Sequence, residues 1–314
     1  MLISKWILKA IVQKAISYLP FSSKINYFFQ KYVTKGVYLN DEYFFDRLGH
    51  AQEHLKGFVA NFNRIPVSCL ELGTGWYPVV PISFFLSGVN EIYSIDITFL
   101  TSKERIIQTL ESFKKSKENA QLSLFLNVLE ERWHVIIDIL DNKDRLSIEE
   151  IMKKMHLVYL IEDARKISLS DNSIELVNSN NTFEHIYPDI LIPILQEFKR
   201  IVSKESGILS HFIDMSDHFA HFDKTINIYN FLKFSDKKWA FIDNSIQPQN
   251  RLRMDDYEAI YTSINIPISH KSFREGRINE PKILNIDKKF TSKPLAVVAI
   301  SHCHFISVYN NEEN

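Results

Sequence analysis

Apolar side chains recur every four positions at the start of the chain, at Ile3, Ile7, Ile11, Ala15 and Leu19, and Trp6, Leu8, Val12 and Ile16 widen the stripe. That spacing predicts an amphipathic helix ending before Pro20. Residues 21–63, rich in aromatic and charged side chains, read as further helix without a chemical motif, so that 1–63 form a helical cap. From Val67 the period changes. Short apolar runs at 67–72, 91–96, 157–161, 174–179 and 208–213 predict buried strands, with helices at 82–87 and 190–202. Pro78 and Pro81 suit a first helical turn, while Gly88 and Gly207 stop the two helices. A helix at 255–263 follows, then strands at 268–273 and 295–300, the last extending toward Val308. Strands spaced by helices imply an α/β fold with a mostly parallel sheet and helices on both faces. The domain spans 64–309, with insertions at 97–156 and 214–253, and a polar tail at 310–314.

Charge narrows the function. The 37 Lys and Arg against 38 Asp and Glu argue against a broad basic surface, so no nucleic-acid partner is expected. Two cysteines, Cys69 and Cys303, are too few for a disulfide scaffold or a zinc cluster and read as buried thiols in the reducing cytoplasm. Lys5, Lys9 and Lys14 interrupt any apolar run of export-signal length. The same lysines permit residues 1–19 to lie on the inner membrane face, although packing on the domain itself or on a partner subunit is the plainer fate of such a stripe. Glycine is scarce: 8 residues, where an average chain of this length carries roughly 20. A pair as close as Gly73 and Gly75 therefore marks a backbone requirement.

Those two glycines sit in the strand-to-turn sequence Leu70-Glu71-Leu72-Gly73-Thr74-Gly75-Trp76. They let the chain turn sharply and approach a ligand just ahead of a helix N-terminus. Asp96 ends the next strand, where a carboxylate can accept both hydroxyls of a ribose. A dinucleotide site needs a small residue where this chain has Pro78, and Glu71 would repel a pyrophosphate but suits a cationic sulfonium amino acid. The turn resembles motif I of the class I S-adenosylmethionine-dependent methyltransferases, with Trp76 in place of the usual third glycine. Three further segments extend the resemblance over 67–213. They are Glu162-Asp163-Ala164-Arg165 with the run that follows, Ser179-Asn180-Asn181-Thr182-Phe183-Glu184-His185-Ile186, and the Gln196–Ile208 crossover, where Ser206 replaces a glycine. The resemblance implies a Rossmann-like fold and S-adenosylmethionine as cofactor, held by Glu71, Gly73, Thr74, Gly75, Asp96, Asp163, Ala164 and Asn180. Asp163 would meet the adenine amino group.

Methyl transfer to a hydroxyl needs a positioned acceptor and a group to take its proton. Candidates cluster beyond the fifth strand, the sheet edge where open α/β folds bind ligands. His218 is the first choice for the base, with Asp217 or Asp214 orienting it, and His185 is the second. His211, Arg251 and Arg253 are candidate acceptor-binding groups, the arginines for a phosphate or carboxylate. The spacing of His211, Asp214, His218 and His221 matches no metal signature, so no metal is expected. The expected acceptor is a small molecule or a glycan- or lipid-linked group, modified at oxygen. The alternative is a catalytically degenerate module kept for binding or assembly, motivated by Trp76 and Ser206.

Overall fold

Seven strands form the sheet of the computed structural model, which describes residues 4–19, 38–277, 279 and 285–310. They are β1 (Ser68–Leu72), β2 (Glu91–Asp96), β3 (Leu157–Ile161), β4 (Leu176–Asn180), β5 (Ser206–Asp214), β6 (His270–Arg274) and β7 (His302–Asn310). Their order across the sheet is β3-β2-β1-β4-β5-β7-β6. The first five pair in parallel, and β7 runs antiparallel between β5 and β6. The chain thus reverses direction from β1 to the two halves of the sheet, which opens a crevice at the C-terminal ends of β1 and β4. The architecture is α/β and Rossmann-like, as the alternating pattern predicted.

Side-chain alternation along the strands builds two cores, one on each face. On one face Cys69, Ile92, Leu176 and Ile208 pack under α2 (Asp41–Phe62) and α3 (Val79–Leu86), through Leu48, Phe58, Phe84 and Phe85. The next positions along the strands, among them Leu70, Val177 and Leu209, face the opposite way. They meet α7 (Pro188–Ile201) and α9 (Met254–Ser263) through Leu195, Phe198, Tyr257 and Tyr261. Between β2 and β3 lie α4 (Lys103–Glu118), α5 (Glu130–Asp141) and α6 (Ile148–Lys154), the last started by a capping box of Ser147 and Glu150. Helix α2 begins on the Asn40 side chain, which accepts from the Tyr43 amide, and ends on Asn63 in the left-handed region.

The first helix, α1 (Lys5–Ser17), docks on the segment after β5. Trp6 and Ala10 join Phe219, Tyr229, Phe231 and Leu232, together with Trp239 of α8 (Asp236–Ile242). The expectations for Pro20, for 21–37 and for 311–314 lie outside the described residues. No described helix is long and apolar enough to cross a membrane.

One element differs from its sequence pattern. Residues 295–300 were expected as strand, yet Leu295–Ala299 is a short helix started by Pro294, and β7 begins only at His302. A five-residue apolar run has no period that separates strand from buried helix, and the preceding proline favours a helix start.

Candidate active site

The turn after β1 is shaped by its neighbours. Gly73 and Gly75 have φ of 75° and 70°, a region that favours glycine. A Cβ on Gly73 would stand 2.8 Å from both Cγ2 and Oγ1 of Thr182, so the turns after β1 and β4 are pressed together. Around Gly75 the same test finds open space. Glu71 is buried behind the turn, where its Oε2 accepts from Thr74 Oγ1 (2.7 Å) and its Oε1 from Asn180 Nδ2 (2.8 Å). Burial pushes this carboxyl up, and the two hydrogen bonds and the Arg47 charge oppose that shift. Asp96 ends β2 beside this turn, since Leu72 pairs with Ile95. Burial raises its pKa, against the amide hydrogen bonds at Thr98 and Ile97.

Six of the expected cofactor residues therefore assemble along the C-terminal ends of β1, β2 and β4: Glu71, Gly73, Thr74, Gly75, Asp96 and Asn180. Glu71 and Asn180 are nearly enclosed and act as supports of the turn. Ala164 is buried beyond β3. The Asp163 carboxylate is exposed and paired with Arg165 Nη2 at 2.5 Å, and that partner holds its pKa down at about 2.

An open cavity of about 1300 Å³ lies over the ends of β4, β5 and β7. Tyr43, Arg47 and His50 of α2 form one wall, His185, Asp214, His218 and His221 another, and His302 and His304 of β7 a third. Asp214 joins them. Its Oδ2 lies 3.4 Å from His218 Nε2, and its Oδ1 lies 3.4 Å from His302 Nε2 and accepts from the Ser216 amide at 2.8 Å. Burial works against the Asp214 charge, but His218, His302 and Ser216 hold the carboxyl well below the usual range. Burial likewise works against a charged His218, and Asp214 outweighs it, so the His218 pKa is raised. His185 donates from Nδ1 to the Pro248 carbonyl at 2.7 Å; burial and then the His218 charge lower its pKa to about 4. Behind both imidazoles sits Glu184, whose carboxyl is pushed up to about 8 by burial and then by the Asp214 charge.

Four expected site residues belong elsewhere. Asp217 is buried with its oxygens accepting from the Phe219 amide (2.8 Å) and Asn230 Nδ2 (3.2 Å), and of the two candidate carboxylates it is Asp214 that lies beside His218 Nε2. His211 points to the other face of the sheet, with Nδ1 at 2.8 Å from Ser179 Oγ and the ring between Phe183 and Phe198. Arg251 donates to the Phe231 and Phe234 carbonyls and pairs with Asp236. Arg253, with no exposed surface, donates to the carbonyls of Met215, Val298 and Ile300. Both guanidiniums bind the segments around them together, and neither lines the cavity.

Arg47 is a cation on the cavity wall, with Lys9 and Arg274, and is not among the residues expected from the sequence. Its Nη1 donates to His50 Nδ1 at 3.2 Å, and its Nε makes no hydrogen bond among the described residues. His54 and His304 were missed as well, and both bond to Ser210. A usable signal existed: Arg47, His50 and His54 fall at i, i+3 and i+7, one face of a helix whose neighbours Leu48, Ala51 and Leu55 are buried and apolar.

No protein-family model matches the chain, and no curated protein does. Among solved structures, the plantazolicin methyltransferase BpumL in complex with SAH is 14% identical over 97% of this chain and 98% of that one, with a TM-score of 0.47. A Burkholderia thailandensis 1,6-didemethyltoxoflavin-N1-methyltransferase with bound 1,6-didemethyltoxoflavin and S-adenosylhomocysteine is 8% identical over 84% of this chain and 79% of that one, with a TM-score of 0.44. MccD protein is 12% identical over 82% and 96%, at 0.42. Identities and TM-scores this low assign no activity.

Proposed function

We propose that the chain is a class I S-adenosylmethionine-dependent methyltransferase whose acceptor enters the histidine-lined cavity. The observation that carries this reading is the support of the Gly73–Gly75 turn by Glu71, Thr74 and Asn180, with Asp96 on the adjoining strand and the cavity wall reached at Asn181, next to Asn180 in the chain. The cofactor supplies a methyl group activated on a sulfonium. Asp96 would accept the ribose hydroxyls, Gly75 leaves room for the ligand against the backbone, and the Arg47 guanidinium offers a counter-charge to a carboxylate.

The acceptor is a small molecule or a glycan- or lipid-linked group, and oxygen is the atom modified. As the carbon–oxygen bond forms and the methyl–sulfur bond breaks, the hydroxyl proton passes to the His218 imidazole, with Asp214 stabilising the resulting charge. Leu8 and Ile11 of α1, 57% and 55% exposed, would suit a peripheral contact with the membrane of a lipid-linked acceptor. Trp76, which with Ser206 motivated the reading as a non-catalytic module, packs on the core and under Arg105 at 4.6 Å.

Calorimetric titration with S-adenosylmethionine and its demethylated product tests the reading. The wild type should bind both in the micromolar range, and Asp96→Ala should bind at least tenfold more weakly, since a hydrogen bond to a charged group contributes about 1.5–3 kcal/mol. A wild type that binds neither would overturn it. With an acceptor in hand, His218→Ala should lower turnover by about 10²–10⁴ and leave cofactor affinity unchanged.

A further inference from the structure

We propose that Glu184, His185 and His218 form a site for one first-row divalent cation of the zinc class, set in the wall of the acceptor cavity. One ligand atom from each of the three lies within 4.8 Å of the others. Two imidazoles and a carboxylate with an open side toward solvent are the donor set that such cations take when a coordination position is left for a substrate oxygen.

The most telling group is Glu184. It is 4% exposed, and neither carboxylate oxygen has a hydrogen-bond partner of normal geometry among the described residues; the amides of Glu184 and Asp214 only lie close enough to ease its charge. A buried carboxylate without partners is costly unless something else occupies its lone pairs. His218 Nε2 is also without a proper hydrogen bond, with Asp214 at 3.4 Å beside it.

His185 is arranged as a ligand is. A carbonyl can only accept, so the 2.7 Å contact to Pro248 places the proton on Nδ1 and leaves the Nε2 lone pair free. Metal-bound histidines are held this way, by a carbonyl or carboxylate on the opposite nitrogen. The adjacency of Glu184 and His185 is useful here because the tight turn Phe183–His185 replaces a regular helix or strand. Bonds of about 2.1 Å put two ligand atoms at most about 4.2 Å apart, so the three groups would close by roughly an ångström on binding, within the reach of imidazole and carboxylate torsions. Asp214, 3.4 Å from the Nε2 atoms of both His218 and His302, would add its negative charge beside the cation.

This site deepens the proposed reading of the cavity but its occupancy does not depend on methyl transfer. A cation on His218 would occupy the lone pair that the proposed function gives to the acceptor's proton, so the two roles exclude one another. With the cation bound, its charge would lower the acceptor hydroxyl's pKa and the proton would leave to solvent in the open cavity. The test uses the full chain after EDTA treatment, titrated with Co²⁺ and Zn²⁺ by calorimetry and by visible absorption. One Co²⁺ per chain with visible ligand-field bands, displaced by Zn²⁺, is expected. Glu184→Gln and His185→Ala should each weaken binding at least tenfold while S-adenosylhomocysteine affinity is kept. Absence of stoichiometric Co²⁺ binding to the wild type, or wild-type binding in both variants, would overturn the site. Should Glu184→Gln not fold, His218→Ala replaces it in the comparison. Cobalt binding without cofactor binding would remove the methyltransferase reading and leave the cation site standing.

Discussion

His54 Nε2 donates to Asn180 Oδ1 over 3.1 Å and so ties helix α2 to the turn that would hold the cofactor. The direction follows from the neighbours. Asn180 spends its amide on Glu71, which leaves only Oδ1 to face His54. His54 Nε2 therefore carries the proton, and Nδ1 accepts from Ser210 Oγ at 2.7 Å. Ser210 Oγ in turn accepts from His304 Nε2 at 2.8 Å. One oriented chain runs from β7 through β5, α2 and β4 to Glu71 on β1. Burial keeps the His54 pKa well below the ordinary value, so the neutral tautomer that the chain requires is the one present.

Replacing His54 by Ala should leave the Ser210 hydroxyl proton and Asn180 Oδ1 unmatched in the core, while His304 and Glu71 keep their bonds to the two side chains. Each unmatched buried group costs about 1–3 kcal/mol, so a loss of about 2–5 kcal/mol is expected in urea denaturation. Cofactor affinity should fall too, because Asn180, no longer fixed through its Oδ1, can turn its amide away from Glu71. His54→Gln, which can donate to Asn180, should recover part of both. Full cofactor affinity in His54→Ala would show that Glu71 and Thr74 keep the turn without the relay.

The two motif glycines should fail differently. Gly73→Ala puts a methyl group 2.8 Å from Thr182 in a left-handed backbone, where strain of about 1–2 kcal/mol and overpacking of about 1–3 kcal/mol combine. Gly75→Ala meets open space and carries only the strain, about 1–2 kcal/mol. Thermal unfolding without ligand should therefore rank Gly73→Ala below Gly75→Ala. If the open space at Gly75 is where the cofactor lies, Gly75→Ala should show its larger loss in the calorimetric affinity.

What the sequence made legible was local. The five parallel strands announce themselves by short apolar runs, and Gly73, Gly75 and Asp96 by their places at strand ends. What stayed hidden depends on which face a residue takes or which distant chain reaches it. His211 and Ser210 are neighbours on β5, but the pleat sends one into the core beside Phe198 and the other to His54. Arg251 and Arg253 look like free cations in sequence, yet unpaired carbonyls at Phe231, Met215 and Val298 claim them. His54, by contrast, sits 126 and 156 residues from Asn180 and Ser210, the partners that give it meaning.

Arg253→Lys tests the structural role of that guanidinium. An ammonium cannot reproduce the planar fork that serves the carbonyls of Met215, Val298 and Ile300 at once. At least one carbonyl is left unmatched, for a loss of about 1–3 kcal/mol in denaturation. Because the side chain lies outside the cavity, the KM for an acceptor should stay within about twofold once the variant is folded, a margin below about 0.5 kcal/mol. A selective rise in KM would restore Arg253 to the acceptor site.

Asp223 should govern whether α1 stays docked. Its Oδ2 accepts from Ser4 Oγ (2.8 Å) and the Trp6 amide (3.0 Å), and its Oδ1 from Thr225, at the positive end of the helix. The hydroxyls of Thr225 and Ser4 and the Trp6 amide hold the carboxyl below the ordinary aspartate value. A pKa depressed in the folded state contributes stability that is complete above the unfolded value, about 3.9, and drains away as pH falls toward the folded one. Asp223→Asn keeps an acceptor oxygen but no charge, so it should free α1 relative to wild type at pH 7. The difference between the two proteins should begin to shrink as pH drops below about 3.9, and vanish only below the depressed folded value. Trypsin at neutral pH reads the first part, through faster cleavage at Lys5, Lys9 and Lys14 in the variant. The Trp6 fluorescence difference between the two proteins, followed from pH 7 to pH 3, reads the second. A difference that persists undiminished at the acid end would mean that the hydrogen bonds, rather than the charge, hold the helix.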